Sequence, residues 1–150
     1  MGVRDLPTLN AVLNADMIVV GPGSLYTSLL PNLLVEDLLG AIKASRALKV
    51  YVCNIATQSG ETDLYSCYEH TRALEEHVGD NLFDIILCND NYAGQLNPGT
   101  EWVRVDEKTQ ADSRVRCSDL SDASRPWRHD SSKLARTLIE ILAEYTGPLT

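Results

Sequence analysis

Positive charge is scarce in this chain. Thirteen Lys and Arg stand against 21 Asp and Glu, a formal net charge of −8 at pH 7 over 150 residues. The long-range field therefore repels phosphate backbones and anionic lipid, and nucleic acid is not an expected partner. Long apolar runs are also missing: none approaches the roughly eighteen residues that a membrane span needs. The opening Met1-Gly-Val-Arg-Asp-Leu-Pro7 lacks the apolar segment of a secretory signal. Both absences point to a cytoplasmic protein with no membrane partner. Cysteine occurs four times, at Cys53, Cys67, Cys88 and Cys117, without a C-x-x-C pair. That spacing favours buried free thiols over a zinc site or a redox dithiol, and no metal site is expected.

What remains is an ordinary globular composition, 44% hydrophobic and 23% charged, at a length that suits one domain. Leu9, Val12 and Leu13 fall at helical spacing within residues 7–15. Three short, mostly β-branched runs follow: Met17–Val20, Lys49–Cys53 and Asp84–Cys88. Each ends abruptly in a polar or Gly-rich loop, as strands buried on both faces do. Between them, helical spacing runs through Leu25–Leu34 (interrupted at Pro31-Asn32), through Val35–Ala47 and through Leu64–Val78. Strand, loop and helix thus alternate, the pattern of a parallel sheet with right-handed crossovers. From Tyr92 to Trp127 the signal weakens, and Trp102–Val105 and Val115–Leu120 read as short strands in Asp/Ser-rich surroundings. A last helix spans about Ser132–Tyr145, with Asp130 as its natural N-cap.

In an open parallel sheet, ligands bind beyond the carboxyl ends of the strands, where loops and helix N-termini converge. Three loops reach that edge here: Gly21-Pro-Gly-Ser-Leu-Tyr-Thr27, Asn54-Ile-Ala-Thr-Gln-Ser-Gly-Glu-Thr62 and Asn89-Asp-Asn91. In the first, glycines permit close backbone approach and hydroxyls stand beside a helix start. That suits a phosphate or carboxylate, and equally suits a tight capped turn. It matches neither G-x-x-x-x-G-K-[ST] nor G-x-G-x-x-G, so no nucleotide class follows from it. In the second, Asn54, Thr57 and Gln58 can hydrogen-bond a base or a sugar hydroxyl. His70 and His77 lie two helical turns apart, too far for the usual i, i+4 zinc pair. Spacing assembles no Ser/His/Asp triad and no Cys/His dyad.

Three ordered blocks go further. Ala15-Asp-Met-Ile-Val-Val-Gly-Pro-Gly-Ser-Leu-Tyr-Thr-Ser-Leu-Leu-Pro-Asn-Leu-Leu-Val35, Lys49-Val-Tyr-Val-Cys-Asn-Ile-Ala-Thr-Gln-Ser-Gly-Glu-Thr62 and Arg128-His-Asp-Ser-Ser-Lys-Leu-Ala135 resemble the C-terminal half of the gluconeogenesis factor family (YvcK-like). That family is related to the 2-phospho-L-lactate transferases (CofD-like). The resemblance implies an α/β fold, a Rossmann-like three-layer sandwich with a mostly parallel sheet. It also implies a cytoplasmic regulatory protein that binds a nucleotide diphosphate sugar, such as a UDP-sugar, and influences carbon use and cell shape. The transferase branch instead moves a phospholactate group from a guanosine diphosphate donor to a deazaflavin acceptor, with magnesium as its cofactor. Carried over residue by residue, the ligand-facing positions are Gly21, Pro22, Gly23, Ser24 and Thr27, then Asn54, Thr57, Gln58, Glu61 and Thr62. Asn32, Asn89, His129 and Asp130 complete the candidates. Ser59 stands where the family commonly has Pro, which restores backbone freedom to that loop.

Family members also carry a Gly-Gly-Gly-Thr-Gly-type loop after their first strand. The resemblance therefore implies one domain, residues 1–150, equivalent to the C-terminal half, with the N-terminal Gly-rich nucleotide-binding half absent. The expected partners are then a second copy of the chain, as a homo-oligomer, or a separately encoded N-terminal half.

Overall fold

The structure, a computed structural model, describes residues 6–147. Four strands, β1 (Met17–Val20), β2 (Leu48–Val52), β3 (Ile85–Asn89) and β4 (Val115–Ser118), form one sheet in the order β1-β2-β3-β4. Every neighbouring pair is parallel, with Met17 opposite Leu48, Val50 opposite Ile85 and Cys88 opposite Cys117. Sequential order with crossovers of one hand places the connecting elements on one face of the sheet. These are a π-turn (Leu25–Leu29), α2 (Leu30–Leu33), α3 (Glu36–Ala44), α4 (Cys67–Val78) and the short α5 (Glu107–Gln110), preceded by α1 (Leu6–Asn14). The opposite face carries α6 (Ser131–Thr146).

Side chains alternate between the two faces along each strand. Val20, Tyr51, Cys53, Ile86 and Cys88 pack with Leu25, Leu30, Ile42, Leu74 and Val78 in the larger core. Leu48, Val50, Val52 and Leu87 pack with Leu120 and Ile141 in the smaller one. Three layers result, as the resemblance implies, and burial on both faces accounts for the continuous apolar runs of β2 and β3.

Three local readings change. The helix read from Leu64 begins only at Cys67, because Ser66 and Glu69 close a capping box: the Ser66 side chain accepts from the Glu69 N–H, and the Glu69 carboxylate accepts from the Ser66 N–H at 2.9 Å. Trp102–Val105 does not join the sheet. It lies extended against the β2 exit, with the Thr57 N–H donating to Glu101 O (2.9 Å) and the Val103 N–H to Ile55 O (2.8 Å). The polar residues after β4 form a hairpin of β5 (Ser121–Asp122) and β6 (Arg125–His129). The loop that follows β3 is tightly apposed to β6. Gly94 has φ +103°, and a Cβ there would lie 2.5 Å from Pro126. From β6 the chain turns into α6, capped by Asp130, whose Oδ1 accepts from the Lys133 N–H at 3.0 Å.

A cavity at the carboxyl edge of the sheet

β1 leaves the sheet through Gly21, where φ is +86° and a Cβ would sit 2.6 Å from the Val52 carbonyl oxygen. Only glycine fits so close to the neighbouring strand. After the cis Gly21–Pro22 bond, the loop is clamped by Asn54 at the end of β2. Asn54 Oδ1 accepts from the Gly23 N–H and its Nδ2 donates to Gly23 O, both at 3.0 Å. Ser24 Oγ donates to Glu61 Oε1 at 2.9 Å and accepts from Thr27 Oγ1 at 2.6 Å. The fully buried Thr62 accepts from the Gln58 N–H at 2.8 Å, and Thr57 Oγ1 accepts from the Glu101 N–H at 2.9 Å. Most polar groups of these two loops are thus spent on holding the loops to each other. The Gly23 N–H, a natural donor for a phosphate cradle, is engaged by Asn54.

Between the loops and β6 lies a cavity of about 250 Å³. Of the residues singled out by sequence, Gly23, Ser24, Asn54, Thr57, Gln58 and His129 line it. Two buried polar atoms there lack a partner, Gln58 Oε1 and His129 Nε2. Burial pulls the His129 imidazole down to about 4, opposed by a hydrogen bond to the Cys53 main chain. The ring is therefore neutral at pH 7. A neutral imidazole carries one donor and one acceptor nitrogen. No Lys or Arg lines the cavity. Such a lining suits a neutral polar group that both donates and accepts, a sugar or a base edge, over a phosphate. Trp127, 38% exposed at the same cavity, adds an aromatic face for stacking.

The other candidates lie apart from the cavity. Gly21, Pro22, Thr27, Glu61 and Thr62 support the loops from behind. Asn32 donates to Ser28 O at 2.7 Å on the exposed side of α2. Asn89 is buried, and its Oδ1 accepts from the Leu120 N–H at 3.1 Å, fixing the exit of β3. Asp130 caps α6. His70 and His77 each bond a carbonyl one turn back on α4, Ser66 O at 2.8 Å and Ala73 O at 2.9 Å. Among the described residues no three His, Cys, Asp or Glu side chains gather as metal ligands. Sequence reasoning missed Asn97, Thr100 and Trp127. They come from the stretch without periodicity, and no signal in it marked them.

A parallel α/β sheet with a cavity at its carboxyl edge is the architecture of the Rossmann-like class. Comparison with known proteins makes the assignment more definite. The profile of the 2-phospho-L-lactate transferase CofD family matches residues 6–146, and the chain belongs to that family. It is 42% identical over 141 residues to the gluconeogenesis factor of Halalkalibacterium halodurans, covering 88% of this chain and 44% of that protein. It is 34% identical over 146 residues to the gluconeogenesis factor of Bacillus subtilis, covering 91% and 46%. A crystal structure of a UPF0052 family member from Bacillus halodurans superposes with a TM-score of 0.78 at 36% identity, covering 89% of this chain and 46% of that one. The chain spans less than half the length of these relatives. Among the described residues no single helix is long and apolar enough to cross a membrane.

Proposed function

We propose that the chain supplies the sugar- or base-recognising part of a nucleotide-sugar-binding regulatory protein of the gluconeogenesis factor kind, linked to carbon use and cell shape. The observation that carries this reading is a pair of buried polar atoms without partners, Gln58 Oε1 and His129 Nε2, on two residues that line a cavity shared with Trp127 and entered by no Lys or Arg. Sugar hydroxyls, which donate and accept, would pair with Gln58 and His129 while the apolar face of the ring rests on the indole. Asn54 and Ser24 act by holding the loops at fixed separation. The phosphates would project out of this cavity, since nothing in it neutralises them.

The test is thermal unfolding of the purified chain with a UDP-sugar, UDP and GDP, each with and without magnesium. A ligand at about a hundred times its dissociation constant adds about 2.7 kcal/mol. A shift with the UDP-sugar that exceeds the shift with UDP, and that is lost in Gln58→Ala, is the expected result. A folded chain that responds to none of these ligands would overturn the reading. The family match itself favours a second reading, a transferase with a guanosine diphosphate donor. Magnesium-dependent consumption of such a donor would establish it in place of the first.

A further inference from the structure

A second, larger cavity of about 550 Å³ opens beside the first, and Asn97 and Thr100 line both. Its floor is the extended segment 101–104, strapped by main-chain bonds to Ile55 and Thr57 and by the Cys67 N–H donating to Arg104 O at 3.0 Å. Val103 on this segment is fully buried in the core. Alternation therefore turns its neighbours Trp102 and Arg104 the other way, where both line the cavity. The Arg104 guanidinium lies over the Tyr92 ring, 4.7 Å from its centroid, and Trp102 packs on the same ring at 5.9 Å. Among the described residues Arg46, Arg104, Arg128 and Arg136 hold no carboxylate, and of these Arg104 alone lines this cavity. Across the opening stands Leu64, 80% exposed and held at φ +65°. That left-handed conformation costs a leucine about 1–2 kcal/mol, and Thr62 and Ser66, two residues away on either side, are buried.

From this geometry we propose a second ligand subsite, for a planar aromatic group bearing a single negative charge. The ring would lie against Trp102 and Leu64, and the anion would meet Arg104. Glu101, which lines the same cavity, opposes a second negative charge. The Asn97–Thr100 stretch common to both cavities would put the two ligands side by side. The inference goes beyond the nucleotide-sugar reading and does not require it.

The chain has two tryptophans, Trp102 and Trp127, one at each cavity, so fluorescence can tell the sites apart. In Trp127→Phe, 4-nitrobenzoate should quench Trp102 saturably with no nucleotide present. Loss of a charge-assisted contact should weaken binding roughly tenfold to a hundredfold in Arg104→Gln. The neutral analogue 4-nitrobenzyl alcohol should bind about as weakly to the unaltered chain as to Arg104→Gln. Calorimetric titration of 4-nitrobenzoate into the unaltered chain and into Arg104→Gln gives the same comparison without touching a tryptophan. Unsaturable quenching, or equal affinity with and without the Arg104 charge, would overturn the subsite whatever the UDP-sugar result.

Discussion

The neutral state of His129 also ties folding to pH. Its ordinary pKa is 6.5, and burial lowers it to about 4 in the folded chain. Between those values the unfolded chain takes up a proton that the folded one refuses, so stability is full above pH 6.5 and is lost as pH falls through 4. A shift of this size corresponds to about 3 kcal/mol. His70 is lowered by burial in the same direction and adds to the loss. Asp106, Asp112 and Asp119 are also held low, Asp112 by Arg114, Asp119 by Lys133 and Asp106 by Thr109 against its desolvation. Their contributions disappear only below the ordinary carboxylate range, outside the histidine window. Urea unfolding at pH 7 and pH 4.5 should show the loss, and His129→Gln should flatten it; an undiminished pH dependence in that variant would refute the assignment. The cysteines give a second check at this scale. Cys53, Cys67 and Cys88 are buried and Cys117 is exposed. A disulfide reagent should therefore titrate one thiol in the native chain and four after unfolding, and two fast-reacting native thiols would contradict the packing.

Between elements, the interaction most exposed to single substitutions joins α4 to the start of β4. Arg114 donates to Glu75 Oε1 and to Asp112 Oδ2, both at 2.7 Å, and the Glu75 side chain is 3% exposed. Removing the guanidinium leaves a buried carboxylate with only Arg72 near it, at 3.3 Å. Breaking a buried pair in this way costs about 3–5 kcal/mol, and the remaining Arg72 sets the expectation for Arg114→Met near 3. The urea midpoint measures it, and the double change with Glu75→Gln should recover part of the loss. Little of this network could be read from the chain, because Glu75 and Arg114 belong to elements whose mutual placement no local pattern fixes. The first three strands were legible as mostly β-branched runs, β2 and β3 through burial on both faces. The hairpin of β5 and β6 was not: it is mostly polar and exposed, and Pro126 interrupts it. The site divides in the same way. The Gly21–Thr27 and Asn54–Thr62 loops follow from where strands end. Trp127, Thr100 and Asn97 reach the cavity only because the hairpin and the Gly94 loop fold back over it.

At the scale of the whole molecule, the two faces of the sheet are unequally covered. Four parallel strands at about 4.8 Å spacing set a sheet roughly 14 Å between its outer axes, whereas one helix is about 10–12 Å across with its side chains. The first face carries several helices; the second carries α6, whose Leu134, Leu138 and Ile141 cover the smaller core. The uncovered margin falls at β1, where Val19 is 38% exposed and Met17 is only partly buried. Among the described residues β1 pairs with β2 alone, so its other side offers unpaired main-chain groups beside apolar side chains. A strand edge of this composition attracts another strand unless charge blunts it. The isolated chain is therefore expected to self-associate through β1. Its net charge of −8 opposes the approach of two copies, so added salt should strengthen the association by screening. Light scattering across a salt series tests this. The unaltered chain should run as a dimer whose fraction rises with salt, and Val19→Lys, which places a charge on the edge, should return a folded monomer. A monodisperse monomer at every salt concentration would show that α6 and β1 suffice to cover this face by themselves.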